Sequence, residues 1–220
     1  MKTETVSLQT EDGHSLDAYV VQPDGDPKGG IVVIQEIFGI TGHIQHMTEQ
    51  FAAAGYLAVA PAMYDRVEKN TVLTYNDFDA GRAMMAKLER EQCVLDMKAA
   101  TEFASSAGKV GIVGFCWGGA MADLAACHDL VSAAVSYYGR MTVEWLDLHP
   151  TCPVLYHYGE IDELIPLQTI EQIQRKRTGH VRVWGGADHG FCCEDRPSFH
   201  KQAAKESMEL TLSFFAENLK

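Results

Sequence analysis

The sequence has no apolar run approaching the ~20 residues that a bilayer-spanning helix needs, so a helical membrane protein is excluded. The opening stretch MKTETVSLQTEDGHS carries Lys2 but no apolar block after it, so no secretory signal is expected. Basic charge is scarce. There are 18 Lys and Arg against 30 Asp and Glu, a net charge of −12, and no basic stretch offsets it. Nonspecific nucleic-acid binding is thereby disfavoured. None of the six cysteines, Cys93, Cys116, Cys127, Cys152, Cys192 and Cys193, falls in a C-x-x-C pair. Zinc-site spacing is missing, and a chain of this length builds a core without disulfides. The expectation is free thiols in a reducing cytoplasm, with no metal and no cofactor. No linker, repeat or low-complexity segment divides residues 1–220, so one domain is expected across them.

What is present points to an α/β fold. The chain is 46% hydrophobic over 220 residues, within the ~250 residues that one core reaches before splitting. ETVSLQ and SLDAYVV alternate around TEDGH and read as a hairpin. GGIVVIQE is a continuous β-branched run, as expected of a buried parallel strand. Residues 43–54 place Met47, Phe51 and Ala54 at helical spacing. GYLAVAPAMY reads as a strand stopped by Pro61, and residues 76–107 have helical composition with one break near Arg90. KVGIVGF is a strand and 117–127 a helix. LVSAAVSYYG and CPVLYHYGE are strands, 167–177 a helix, HVRVWGG a strand and 197–218 a last helix. This alternation predicts a mainly parallel sheet of about eight strands with helices on both faces. Residues 65–80 read as a cap or an active-site loop.

The stretch KVGIVGFCWGGAMADL sets Cys116 between Gly114 and Gly118 where a strand gives way to a helix. G-x-C-x-G there is the nucleophile-elbow pattern with cysteine for serine. The helix N-terminus favours a thiolate, and its free N–H groups can bind an oxyanion. A buried structural cysteine is the competing reading. A dinucleotide-binding loop is not, because the spacing is not G-x-G-x-x-G and the strand is a late one.

A nucleophile needs a base and the base an orienting acid, here expected in that chain order after the elbow. EIDELIP follows PVLYHYG and offers Glu160, Asp162 and Glu163. ADHGF follows VRVWGG and offers His189. Both segments lie just beyond strand carboxyl ends, where open α/β sheets place their chemistry. Asp162 is preferred because the first turn after the strand must reach back over the sheet. Its competing role is a helix N-cap.

From about residue 15 to the C-terminus the sequence resembles the dienelactone hydrolases (carboxymethylenebutenolidases). The marks are QEIFG at 35–39, AAAGYLAVAPAMYDR at 52–66, GFCWGG at 114–119, YGEIDELIP at 158–166 and ADHGF at 187–191. The resemblance implies an α/β-hydrolase fold and a triad of Cys116, His189 and Asp162. It also implies an added glutamate, Glu36, whose partner is the cysteine sulfur and which takes the thiol's proton when the site is engaged. Ile37 and Trp117 would supply the oxyanion N–H groups. Glu36 closes an apolar strand, where a carboxylate needs a partner.

Founding members of the family bind a small lactone carrying a carboxylate through arginines. This chain has Cys193 four residues beyond His189, where one arginine is expected, and Phe78 where a gapless alignment puts the other. Arg82, Arg140 and Arg196 are the candidate replacements. Phe38, Tyr64, Phe78, Trp117, Tyr138 and Phe191 are candidates to line an apolar pocket. The resulting expectation is a cytoplasmic hydrolase of small esters or lactones, monomeric or a small homo-oligomer, working through an acyl-thioester. The rival readings are a broad-scope esterase or thioesterase, a thiol redox sensor and a catalytically silent binding module.

Overall fold

In the computed structural model, which describes residues 1–220, eight strands form one sheet. They are β1 (Lys2–Gln9), β2 (Ser15–Gln22), β3 (Gly30–Ile34), β4 (Leu57–Pro61), β5 (Val110–Phe115), β6 (Ala133–Tyr137), β7 (Val154–Gly159) and β8 (His180–Trp184). The spatial order is β1-β2-β4-β3-β5-β6-β7-β8. β1 and β2 form an antiparallel hairpin in the register Leu8 to Leu16, and β2 runs antiparallel to β4. All later pairs are parallel. Every residue of β3 to β7 is buried, as a sheet covered on both faces requires.

Six α-helices cover the sheet: α1 (Gly42–Ala53), α2 (Phe78–Met85), α3 (Arg90–Ala104), α4 (Trp117–Cys127), α5 (Leu167–Lys176) and α6 (Lys201–Asn218). Two glycines tell the faces apart. A Cβ at Gly111 would meet Phe215 of α6 and Ile31, whereas one at Gly30 would meet Ala104 of α3. Gly30 and Ile31 are neighbours on β3, so their Cβ directions oppose, and α3 and α6 lie on opposite faces. α1 shares the α6 face, with the Phe51 and Phe215 rings 6.0 Å apart.

The helical composition of 76–107 resolves into α2 and α3, separated by residues 86–89. The last helix starts later than its composition suggests. Residues 197–198 form a turn and 199–200 are irregular, and the His200 ring accepts a hydrogen bond from the Ala203 N–H at 3.2 Å, capping α6. Within 65–80, a 3₁₀ turn at Met63–Arg66 gives way to an irregular strap over 67–77. The strap packs on the loop after β3, where the Leu73 N–H donates to the Phe38 carbonyl at 2.8 Å.

One buried ion pair braces α4. Asp123 of α4 accepts from Arg177 Nε and Nη2, both at 2.8 Å, from Trp145 Nε1 at 2.9 Å and from the Tyr156 hydroxyl. Both charged side chains are fully buried. Removing one partner leaves the other charge unpaired in the core. Arg177→Met is therefore expected to destabilise the fold by about 3–5 kcal/mol, read as a lower urea midpoint.

A second buried polar group gives the stability a pH dependence. His157 on β7 accepts from Trp184 Nε1 at Nδ1, 3.2 Å away, and its Nε2 meets Thr211 at 3.1 Å. Both nitrogens are engaged with the ring neutral. Burial, then the Arg182 charge, lower its pKa to about 3. The unfolded chain protonates near the ordinary value of about 6.5. The stability is thus complete above that pH and is lost as pH falls from about 6.5 towards 3, by up to about 1.4 kcal/mol per unit. Urea midpoints between pH 7 and 4 should fall less steeply in His157→Gln than in the wild type. Equal slopes would show that His157 does not carry the effect.

Candidate active site

β5 delivers Cys116 to the sheet's carboxyl edge in a conformation that side chains seldom adopt, with φ 57° and ψ −117°. This is local strain, held in place by the surrounding backbone. The Cys116 N–H donates to the Tyr137 carbonyl and the Gly119 N–H to the Cys116 carbonyl, each at 3.0 Å. The flanking glycines make the turn possible. A Cβ at Gly114 would fall 1.8 Å from the Gly118 carbonyl oxygen, and one at Gly118 2.5 Å from the carbonyl oxygens of Ile34 and Gln35. No larger residue fits either place.

The loops after β7 and β8 bring Asp162 and His189 together. Asp162 Oδ2 lies 2.7 Å from His189 Nδ1, and Oδ1 accepts from the Leu164 N–H at 2.9 Å. Both side chains are buried. The bond to Asp162 assigns Nδ1 as the protonated nitrogen. It leaves Nε2 buried and without a hydrogen-bond partner. Burial resists charging the ring, but the Cys116 sulfur and the Asp162 bond outweigh it and raise the His189 pKa. The two other acids of EIDELIP are elsewhere. Glu160 accepts from the Gly186 N–H at 2.9 Å, and Glu163 is exposed on the outer rim.

Ile37 and Trp117 are both placed to offer N–H groups. Trp117 opens α4, where first-turn N–H groups lack an intrahelical acceptor. The Ile37 N–H has no partner within the protein. Tyr64 holds this loop: its hydroxyl donates to the Ile37 carbonyl at 2.8 Å and is 3.2 Å from the Gly81 carbonyl.

Glu36 is fully buried, but its partner differs from the expected sulfur. Oε1 lies 3.4 Å from Arg196 Nη1, and Oε2 has no partner. With a cysteine at position 193, it is Arg196 that reaches the carboxylate. Burial raises the Glu36 pKa, against the pull of Arg196. Arg196 is itself flanked by the rings of Tyr75 and Phe78, 5.9 and 5.8 Å from their centroids.

A half-open cleft lies over Cys116 and His189. Ile37, Phe38, Phe78, Trp117, Arg82, Arg140 and Arg196 line it, with Met85, Met141 and Leu164, which the sequence did not single out. These three lie on apolar or irregular stretches without a distinguishing pattern. Three of the expected pocket residues are not in the cleft wall. Tyr64 is buried against the loop that carries Ile37, stacked near Trp117. Tyr138 is fully buried with its ring 4.9 Å from His189, and Phe191 packs behind it at 5.4 Å. They support the histidine from the core side.

Comparison with known proteins agrees with this architecture. The sequence profile of the dienelactone hydrolase family matches residues 16–219. The carboxymethylenebutenolidase of Pseudomonas putida is 34% identical over 230 residues, covering 98% of this chain and 97% of its own. A crystal structure from Klebsiella pneumoniae, named as a candidate dienelactone hydrolase, superposes with a TM-score of 0.86 at 30% identity, covering 98% of this chain and 99% of that one. The dienelactone hydrolase of Anabaena variabilis shares the fold with a TM-score of 0.74 at 18% identity, covering 100% and 99%. No helix of the chain is long and apolar enough to cross a membrane. With the profile spanning nearly the whole sheet and its relatives matched end to end, the chain belongs to the dienelactone hydrolase family.

Proposed function

We propose that the protein hydrolyses small esters or lactones through a thioester on Cys116. The observation that carries this reading is the buried, unpartnered Nε2 of His189, held by Asp162 at Nδ1 in the cleft that Cys116 also lines. His189 takes the thiol proton, and the thiolate attacks the carbonyl carbon. The oxyanion is held by the N–H groups of Ile37 and Trp117. Collapse expels the alcohol or enol oxygen, which takes the proton from His189. Water then enters, gives a proton to His189 and attacks the thioester, and the second collapse releases the acid and the thiolate. Glu36 is read as the reserve proton acceptor behind this loop, available once Arg196 is drawn off it.

The substrate class follows from the cleft. The chain is strongly acidic, yet Arg82, Arg140 and Arg196 converge on this one cleft. Three guanidinium groups around an otherwise apolar wall suit a small acyl substrate that carries a carboxylate. A panel of aryl esters and lactones, each with and without a carboxylate, tests this. Arg82→Met and Arg140→Met should each lower kcat/KM about 10-fold on the carboxylate-bearing substrates, as expected for one charged hydrogen bond. The neutral substrates should be unaffected. Equal losses on both sets would remove anion recognition from the reading and leave a general esterase.

A further inference from the structure

Directly behind the loop that carries Ile37, three unlike side chains meet in the core. Glu36 follows β3, His43 lies in the first turn of α1, and Cys193 sits in the turns after His189. One donor atom from each lies within 4.8 Å of the other two. All three are buried, Glu36 and Cys193 completely and His43 at 4% exposure. Two of the donors lack partners: Glu36 Oε2 and His43 Nε2 are buried with no hydrogen bond. A buried polar atom without a partner is costly, and Glu36 and His43 each carry one beside the Cys193 thiol. The proposed ester chemistry uses neither His43 nor Cys193.

We propose that Glu36, His43 and Cys193 form a binding site for a thiophilic divalent cation of the zinc class. Carboxylate, imidazole and thiolate are a tetrahedral zinc donor set at bond lengths of about 2.0–2.3 Å. Such bonds put the donors about 3.5 Å apart, so the site closes by roughly an ångström on binding. The Cys193 thiol releases one proton to solvent as its sulfur bonds the metal. Glu36 then bridges two cations, with Oε1 on Arg196 and Oε2 on the metal. This arrangement fixes the carboxylate as outer hydrogen bonds fix metal ligands elsewhere. Tyr75, whose hydroxyl lies 3.2 Å from Thr41 Oγ1, neighbours the Cys193 thiol. Tyr75 belongs to the strap over 67–77.

The consequence for turnover rests on the proposed function. A metal on Glu36 holds the residue next to Ile37 and removes the reserve acceptor, so occupancy slows hydrolysis. Binding itself does not depend on that reading and is measured separately.

The test titrates the full-length protein with Co²⁺ and follows the thiolate-to-cobalt charge-transfer band and the visible bands of a tetrahedral ion. The wild type and Cys116→Ser should each bind one equivalent with both signatures. Cys193→Ser should lose the charge-transfer band, and His43→Gln should bind at least 10-fold more weakly. Melting curves taken without metal report whether the variants fold. Should either variant misfold, anomalous diffraction at the zinc edge from wild-type crystals soaked in Zn²⁺ places the ion directly. Absence of binding by the wild type, a band that survives in Cys193→Ser, a band lost in Cys116→Ser, or zinc density on Cys116 and His189 instead would each overturn the proposal. In activity assays, Zn²⁺ should slow the wild type at least 5-fold, a chelator should restore it, and Cys193→Ser should be insensitive. Metal binding without inhibition would keep the site and overturn its effect on turnover.

Discussion

Cys116→Ala is expected to lose turnover by about 10⁴-fold or more on every ester or lactone the wild type accepts, while folding normally. The size follows from what is removed. Without the sulfur no covalent route exists, and the oxyanion N–H groups and the cleft are left to act on water alone. The fold should survive because Cys116 is only half-buried and its turn is held by backbone bonds to Tyr137 and Gly119. Cys116→Ser should keep a trace of activity, since a hydroxyl needs a stronger base than a thiol does. Wild-type rates in Cys116→Ala would overturn the covalent mechanism, and steady-state kinetics with thermal melts on both variants provide the check.

His189→Gln should cost about 10³-fold or more in kcat. Glutamine can fill the space, but it neither accepts the thiol proton nor activates water in the second half of the reaction. Asp162→Asn should cost less, because it disturbs the tautomer and aim of the ring rather than removing the base. Glu160→Gln and Glu163→Gln should cost little, since Glu160 is engaged with the Gly186 N–H and Glu163 is exposed. A large loss at Glu160 with none at Asp162 would reassign the orienting acid.

The sheet was legible because its strands obey a simple rule. Runs such as GIVVI and VGIVGF are apolar without alternation, and only a strand covered on both faces reads that way. The elbow was legible because two glycines flank Cys116 where contacts of 1.8 and 2.5 Å forbid a Cβ. That the EIDELIP and ADHGF loops meet was legible from order, since loops leaving β7 and β8 end at the same sheet edge, whereas the contact of Asp162 rather than Glu160 with His189 is a matter of loop geometry. The aromatic residues were not. Tyr64, Tyr138 and Phe191 look like pocket residues by type. Which side of the loop each one faces depends on contacts between segments far apart in the chain, such as Tyr64 with Ile37 and Gly81. The same holds for Glu36. Its partner is 160 positions away, and no spacing pattern marks it. That His43 and Cys193 lie close to Glu36 is hidden for a like reason, since they come from α1 and from the turns after β8. Helix limits failed where a side chain made the cap, as His200 does for α6.

The proposed hydrolysis depends on one covalent bond, between Cys116 Sγ and the acyl carbon. Rapid acid quench of the wild-type enzyme turning over a saturating aryl ester, followed by intact-protein and peptide mass spectrometry, looks for that bond directly. The result predicted is a mass increase of one acyl group, mapped to Cys116, that disappears at the rate at which the acid product forms. An acyl group on another residue, or full turnover with Cys116 unmodified at every time point, would contradict it.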